Sequence, residues 1–162
     1  MKMVTEATIS ASHFLPDHVG KCKNLHGHNW RVRVMIKGSL IEVKGDPQNG
    51  MITDFGKVKE VLNTFDHKHL NDVMGNVPPT AENISKCIGE KIISLQTNII
   101  QVVIQIYESD KSYIEWNSDD DWEEKSTRDV VDVIEDAAKQ LEADKDIRDP
   151  DEEEEETDAE SE

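Results

Sequence analysis

Cys22-Lys23-Asn24-Leu25-His26-Gly27-His28-Asn29-Trp30-Arg31-Val32-Arg33-Val34-Met35-Ile36-Lys37 is the stretch that decides how the chain is read. From Asn29 to Lys37 polar and apolar residues alternate, so Trp30, Val32, Val34 and Ile36 form the apolar face of a half-buried strand. Side chains two apart in extended chain project to the same side. His26 and His28 therefore face one way where the strand begins, and Gly27 leaves room between them. A second alternating segment, Val4-Thr5-Glu6-Ala7-Thr8-Ile9-Ser10-Ala11, leads to His13, and two such strands side by side would bring three imidazoles to one point. Three histidines without a fourth protein ligand match a catalytic zinc, whose open position takes water or substrate. The spacing alone leaves another reading open, in which the His-x-His pair is a chance feature of a surface strand and His13 a satisfied loop residue.

Length and composition bound the rest. A chain of 162 residues predicts one domain with a modest core. No run of about 18 apolar residues exists, so no membrane span is expected. The segment Met1-Lys2-Met3-Val4-Thr5-Glu6 lacks the apolar centre of a signal peptide, and a cytoplasmic protein is expected. Two cysteines, Cys22 and Cys87, make no disulfide framework. Cys87, among apolar residues at helical spacing, reads as a core residue. The net charge of −17 is not spread evenly: residues 1–116 hold 13 basic and 13 acidic side chains, and residues 117–162 hold 5 and 22. A neutral body carrying an acidic appendage excludes nucleic acid as a direct partner, because the tail repels phosphate.

Residues 3–12 read as a first strand, 13–28 as a loop and 29–37 as a second strand. After a turn-rich segment, Lys44 to Gly50, a helix starts behind Asp54 with Phe55, Val58, Val61, Leu62 and Phe65 at helical spacing. An irregular stretch, Asp66 to Asn71, precedes a second helix. There Thr80 is a candidate cap, Asn83 occupies the capping-box position, and Ile84, Cys87, Ile88, Ile92 and Leu95 form the buried stripe. Residues 99–107 are β-branched and strand-like, and Ser112 to Trp116 is a short last strand. The order ββααββ predicts an α+β domain, a four-stranded antiparallel sheet with two helices on one face. Its two edges need cover, and pairing between copies is one answer, so a homo-oligomer is expected. The expected organisation is a folded body over 1–116, an acidic connector over 117–125, an amphipathic helix over 126–148, and a disordered acidic run over 149–162.

Cys22 stands near the histidines and beside Lys21 and Lys23, surroundings that favour a thiolate. Asp66-His67 is its natural partner, a carboxylate orienting an imidazole that exchanges a proton with the thiol. Neighbouring residues of extended chain point apart, so the pair requires irregular backbone. Otherwise Asp66 is a turn residue and His67 a surface imidazole.

The motifs Ser10-Ala11-Ser12-His13, Cys22-x-x-x-His26-Gly27-His28, Met51-Ile52-Thr53-Asp54-Phe55, Asp66-His67-x-x-Leu70-Asn71, Pro79-Thr80-Ala81-Glu82-Asn83 and Tyr107-Glu108-Ser109 run in order over residues 3–116. Together they resemble the 6-pyruvoyltetrahydropterin synthase superfamily, most closely its 6-carboxytetrahydropterin synthase branch of queuosine and 7-deazaguanine biosynthesis. The three residues between Cys22 and His26 favour that branch. The resemblance implies a tunnelling fold (T-fold), in which strands of several subunits close a barrel, commonly as a homohexamer of two stacked trimers with sites at subunit interfaces. It implies Zn2+ on His13, His26 and His28, Cys22 as catalytic acid or base, and His67 with Asp66 as its relay. It further implies that Glu108 holds the N–H edge of the pterin, with Thr80 and Glu82 lining the same site. The implied reaction turns 7,8-dihydroneopterin triphosphate into 6-carboxy-5,6,7,8-tetrahydropterin, releasing triphosphate and acetaldehyde. Lys21, Lys23, Lys68 and Arg31 are candidates for the triphosphate by proximity. A sister pyruvoyl- or hydroxymethyl-forming enzyme and a zinc- and pterin-binding module without turnover are the alternatives. Ile9 and Ser12 depart from the usual residues of the first motif.

Overall fold

The computed structural model describes residues 1–120. Strands β1 (Lys2–His13) and β2 (His26–Gly38) come first, then helices α1 (Phe55–Asn63), α2 (Leu70–Met74) and α3 (Ala81–Ile93), then strands β3 (Ile99–Ser109) and β4 (Ser112–Asn117). All neighbouring strands pair antiparallel in the order β1-β2-β3-β4. The expected four-stranded α+β sheet is present, with one short helix more than the ββααββ pattern contains. The amphipathic helix expected over 126–148 and the acidic run over 149–162 lie outside the described residues. Among the described residues, no helix is long and apolar enough to cross a membrane.

Alternation decides which face of the sheet is covered. Ile9 and Ala11 of β1, Trp30, Val32, Val34 and Ile36 of β2, and Val102, Ile104 and Ile106 of β3 are buried together with Val58, Leu62, Ile84, Ile88 and Ile92 of the helices. Each fully buried side chain of this kind stabilises the fold by about 1.5–3 kcal/mol relative to exposure. The opposite face carries Glu6, Arg31, Arg33 and Glu115, as the polar half of the alternation demands.

Local chemistry sets the helix ends. Asp54 caps α1 by accepting from the Gly56 N–H at 2.7 Å, and Thr80 caps α3 by accepting from the Asn83 N–H at 3.3 Å. Asn83 does not close a capping box, because its amide donates to the Pro78 carbonyl instead, at 2.9 Å. Gly75, with φ of 60°, ends α2 in a conformation that glycine adopts without strain.

Two differences from the expected elements matter for function. β2 begins at His26 and not at Asn29, so both histidines of the triplet are strand residues. The extra helix α2 follows a segment that docks on the free edge of β1. Its main chain gives His67 N–H to the Ser10 carbonyl (2.8 Å) and takes Ser12 N–H on the Lys68 carbonyl (3.1 Å). Asn71 completes the seam, accepting from Phe14 N–H at 3.0 Å and donating to the Phe14 carbonyl at 2.9 Å. That part of the β1 edge is covered from within the chain.

Candidate active site

Register brings the histidines together. His13 pairs with His26 and Ala11 with His28, so all three imidazoles extend the buried face of the sheet at its open end. Their ring centroids lie 4.5 Å (His13–His26), 5.2 Å (His13–His28) and 4.9 Å (His26–His28) apart. Trp30, 1% exposed, forms the floor, edge-on to His13 at 5.0 Å and to His28 at 4.8 Å.

Hydrogen bonds fix the tautomers of two rings. His13 donates Nδ1–H to the Pro79 carbonyl at 2.7 Å, and His26 donates Nδ1–H to the Asn24 carbonyl at 2.8 Å. Each leaves Nε2 as a lone pair, the arrangement that orients a metal-binding imidazole. His13 Nε2 and His28 Nε2 are both buried without a hydrogen-bond partner. Burial pushes the His13 imidazole below its ordinary value against the opposing pull of the Pro79 carbonyl, and pushes His28 down against the nearby Glu108 carboxylate. Neutral rings with orphaned, converging nitrogens are what a divalent cation requires.

Glu108 joins this group. On β3 it continues the inward row of Ile104 and Ile106, and its Oε1 lies 3.0 Å from His28 Nε2, a close approach without hydrogen-bond alignment. Ligand atoms of His13, His26, His28 and Glu108 all fall within 4.8 Å of one another. The residues present fit a zinc ion: three histidine nitrogens would hold it, with Glu108 at the border of the cluster.

Next to the cluster opens a cavity of about 360 Å³, walled by His13, Cys22, Thr80, Glu82 and Glu108 among others. Cys22 stands in a short 3-10 turn, Lys21–Lys23, and its carbonyl accepts from the Leu15 N–H at 2.8 Å, tying the turn to the β1–β2 loop. Thr80 and Glu82 enter from the start of α3. Five of the residues singled out in the sequence thus share one hollow.

Asp66 and His67 do not line it. Their side chains pair at 3.0 Å (Asp66 Oδ2 to His67 Nδ1), while Asp66 Oδ1 takes the Ser10 N–H at 2.8 Å. That backbone bond is the main reason the Asp66 carboxyl sits below its usual range. His67 has φ of 54°, the one positive value among the described non-glycine residues, and so supplies the irregular backbone that the pairing needs. Its side chain is 82% exposed and borders a different, more open hollow with Ser10, His28, Asn29, Lys68 and His69, so His28 of the cluster stands on that wall too. Within one chain His67 and Cys22 therefore line different hollows.

Among the wall residues that sequence reasoning missed is His18. A histidine four places before Cys22 in a loop with Pro16 and Gly20 was the available signal. Nothing in the residue types pointed to the Pro79 and Asn24 carbonyls, because any residue supplies a carbonyl.

A family model described as 6-pyruvoyl tetrahydropterin synthase matches residues 2–119. A protein of Synechocystis named 6-carboxy-5,6,7,8-tetrahydropterin synthase is 39% identical over 92 residues, 54% of this chain and 70% of that protein. A Drosophila melanogaster protein named 6-pyruvoyl tetrahydrobiopterin synthase is 30% identical over 108 residues, 60% of this chain and 61% of that protein. Among solved structures, the 6-pyruvoyl tetrahydropterin synthase of Caenorhabditis elegans superposes with a TM-score of 0.55 at 28% identity, covering 72% of this chain and 94% of that one.

Proposed function

The chain belongs to the 6-pyruvoyl tetrahydropterin synthase family, and from that membership we propose that it is a zinc-dependent lyase acting on 7,8-dihydroneopterin triphosphate. The proposed products are 6-carboxy-5,6,7,8-tetrahydropterin, triphosphate and acetaldehyde, in the supply of 7-deazaguanine precursors. The observation that carries this reading is the single cavity in which His13 of the histidine cluster meets Cys22, Thr80, Glu82 and Glu108.

Zinc, when bound, would supply Lewis acidity to side-chain oxygens of the substrate, making nearby C–H and O–H protons easier to remove. The chain's residues then divide the remaining work. Glu108 has two possible tasks, fourth ligand or acceptor for the pterin N–H edge. We assign it the second, because a catalytic zinc keeps an open position and Glu108 also faces the cavity, where its two oxygens suit a pair of parallel N–H donors. Thr80 and Glu82 line the same cavity. Cys22 moves protons at the substrate side chain.

The relay for Cys22 is proposed to be His67, held by Asp66, of a second copy of the chain. The 82% exposure of His67 and its separate hollow support this arrangement. A homohexamer built as two stacked trimers is the proposed assembly, and the cytoplasm its proposed location. The acidic segment after residue 116 is proposed to be a solvated appendage.

A sister reaction giving pyruvoyl-pterin is the second reading, supported by the names of the Drosophila and Caenorhabditis relatives. Product mass separates the two. Zinc-loaded protein incubated with dihydroneopterin triphosphate is expected to form carboxytetrahydropterin and acetaldehyde, and Cys22→Ala is expected to lose at least about a hundredfold in rate. Pyruvoyl-pterin as product would favour the sister reaction. Pterin binding without turnover, equal in both proteins, would favour a non-catalytic module.

A further inference from the structure

His18 is held in a way that chemistry can interpret. Its Nδ1 accepts the Gly20 N–H at 2.8 Å, so the ring proton resides on Nε2. The fit against Gly20 is close: a Cβ added there would come within 2.8 Å of His18 Cε1 and 3.2 Å of Nδ1. A side chain at position 20 would therefore displace the ring. The imidazole lines the same cavity as Cys22 and is otherwise exposed, at the rim rather than the floor.

With its Nδ1 acceptor already used, His18 offers a ligand only a donor. The same cavity also carries acceptors, Glu82 and Glu108. A donor and two carboxylates in one hollow match a ligand that carries both an anionic chain and an N–H-rich ring. Lys21 and Lys23, exposed on either side of Cys22, add positive charge to the same loop.

We propose that His18, through Nε2–H and pinned by Gly20, binds the phosphate chain of the substrate at the cavity rim, beside Cys22. The assignment rests on the pterin triphosphate reading above and names a binding residue that reading lacks. A donor there holds the leaving phosphates away from the two carboxylates and fixes the side chain between Cys22 and the histidine cluster.

Calorimetric titration of the full chain with inorganic triphosphate, and separately with dihydroneopterin, tests it without turnover. His18→Ala is expected to weaken triphosphate binding about tenfold, as loss of a hydrogen bond to a charged group does, and to leave dihydroneopterin binding unchanged. Gly20→Ala should weaken triphosphate in the same direction while keeping the imidazole, and His18→Gln, which retains a donor, should recover part of the loss. Unchanged triphosphate affinity in His18→Ala would overturn the proposal, as would a wild-type chain that binds dihydroneopterin but no triphosphate. If the wild-type chain bound neither, the pterin reading itself would fall with it.

Discussion

At the scale of single residues, the ambiguity with consequences is Glu108, 3.0 Å from a histidine nitrogen and also on the cavity wall. If it is the pterin anchor, Glu108→Gln keeps full zinc occupancy but weakens pterin binding tenfold or more, at about 1.5–3 kcal/mol for a charged hydrogen-bonding group. His28→Ala, by contrast, should lose most of its zinc. Metal analysis of the purified variants beside a pterin titration checks both, and zinc lost from Glu108→Gln would make it a ligand instead. The histidine triplet was legible because extended chain has a period of two, which turns His26-Gly27-His28 into a statement about direction. The pairing of Asp66 with His67 was legible only as a demand for irregular backbone, met by the positive φ of His67. The role of His18 is not legible in the sequence, because it lies in a contact with Gly20 that no periodicity encodes.

At the scale of elements, the sheet was readable and the edge cover was not. Alternation in β1, β2 and β3 assigns the buried face residue by residue, and helical spacing assigns α1 and α3. The docking of residues 66–71 on β1 depends on main-chain and Asn71 amide bonds across 57 positions of sequence, which residue types do not announce. Polar His26 and His28 hide the first three residues of β2 from the apolar alternation, although pairing with β1 continues to the His13–His26 register. Gly89 of α3 packs close on the sheet: a Cβ added there would come within 2.0 Å of the Trp116 ring on β4. Alanine there gains about 1 kcal/mol of helix propensity but forces apart two packed elements, an overpacking cost of about 1–3 kcal/mol that rises with the severity of the clash. Gly89→Ala is therefore expected to be net destabilising by about 1–2 kcal/mol in urea unfolding. A variant as stable as the wild-type chain would mean that Trp116 can swing aside.

At the scale of the whole molecule, one chain keeps Cys22 and His67 in separate hollows. His13 of the histidine cluster borders one cavity with Cys22, and the exposed His67, paired with Asp66, borders another hollow, on whose wall His28 also stands. The proposed resolution is a symmetric assembly in which each cavity borrows the relay of a neighbour, and symmetry then repeats the site once per chain. The net charge of −17 says nothing about this arrangement, because the excess lies beyond residue 116 and the body that forms both hollows is balanced. The shared site is tested most directly by mixing two inactive variants, Cys22→Ala and His67→Ala, through joint unfolding and refolding or coexpression, and measuring turnover of dihydroneopterin triphosphate. Random assembly should restore about a quarter of the wild-type rate, since an intact site needs Cys22 from one chain and His67 from its neighbour. A mixture as inactive as its components, or a His67→Ala protein active on its own, would contradict it.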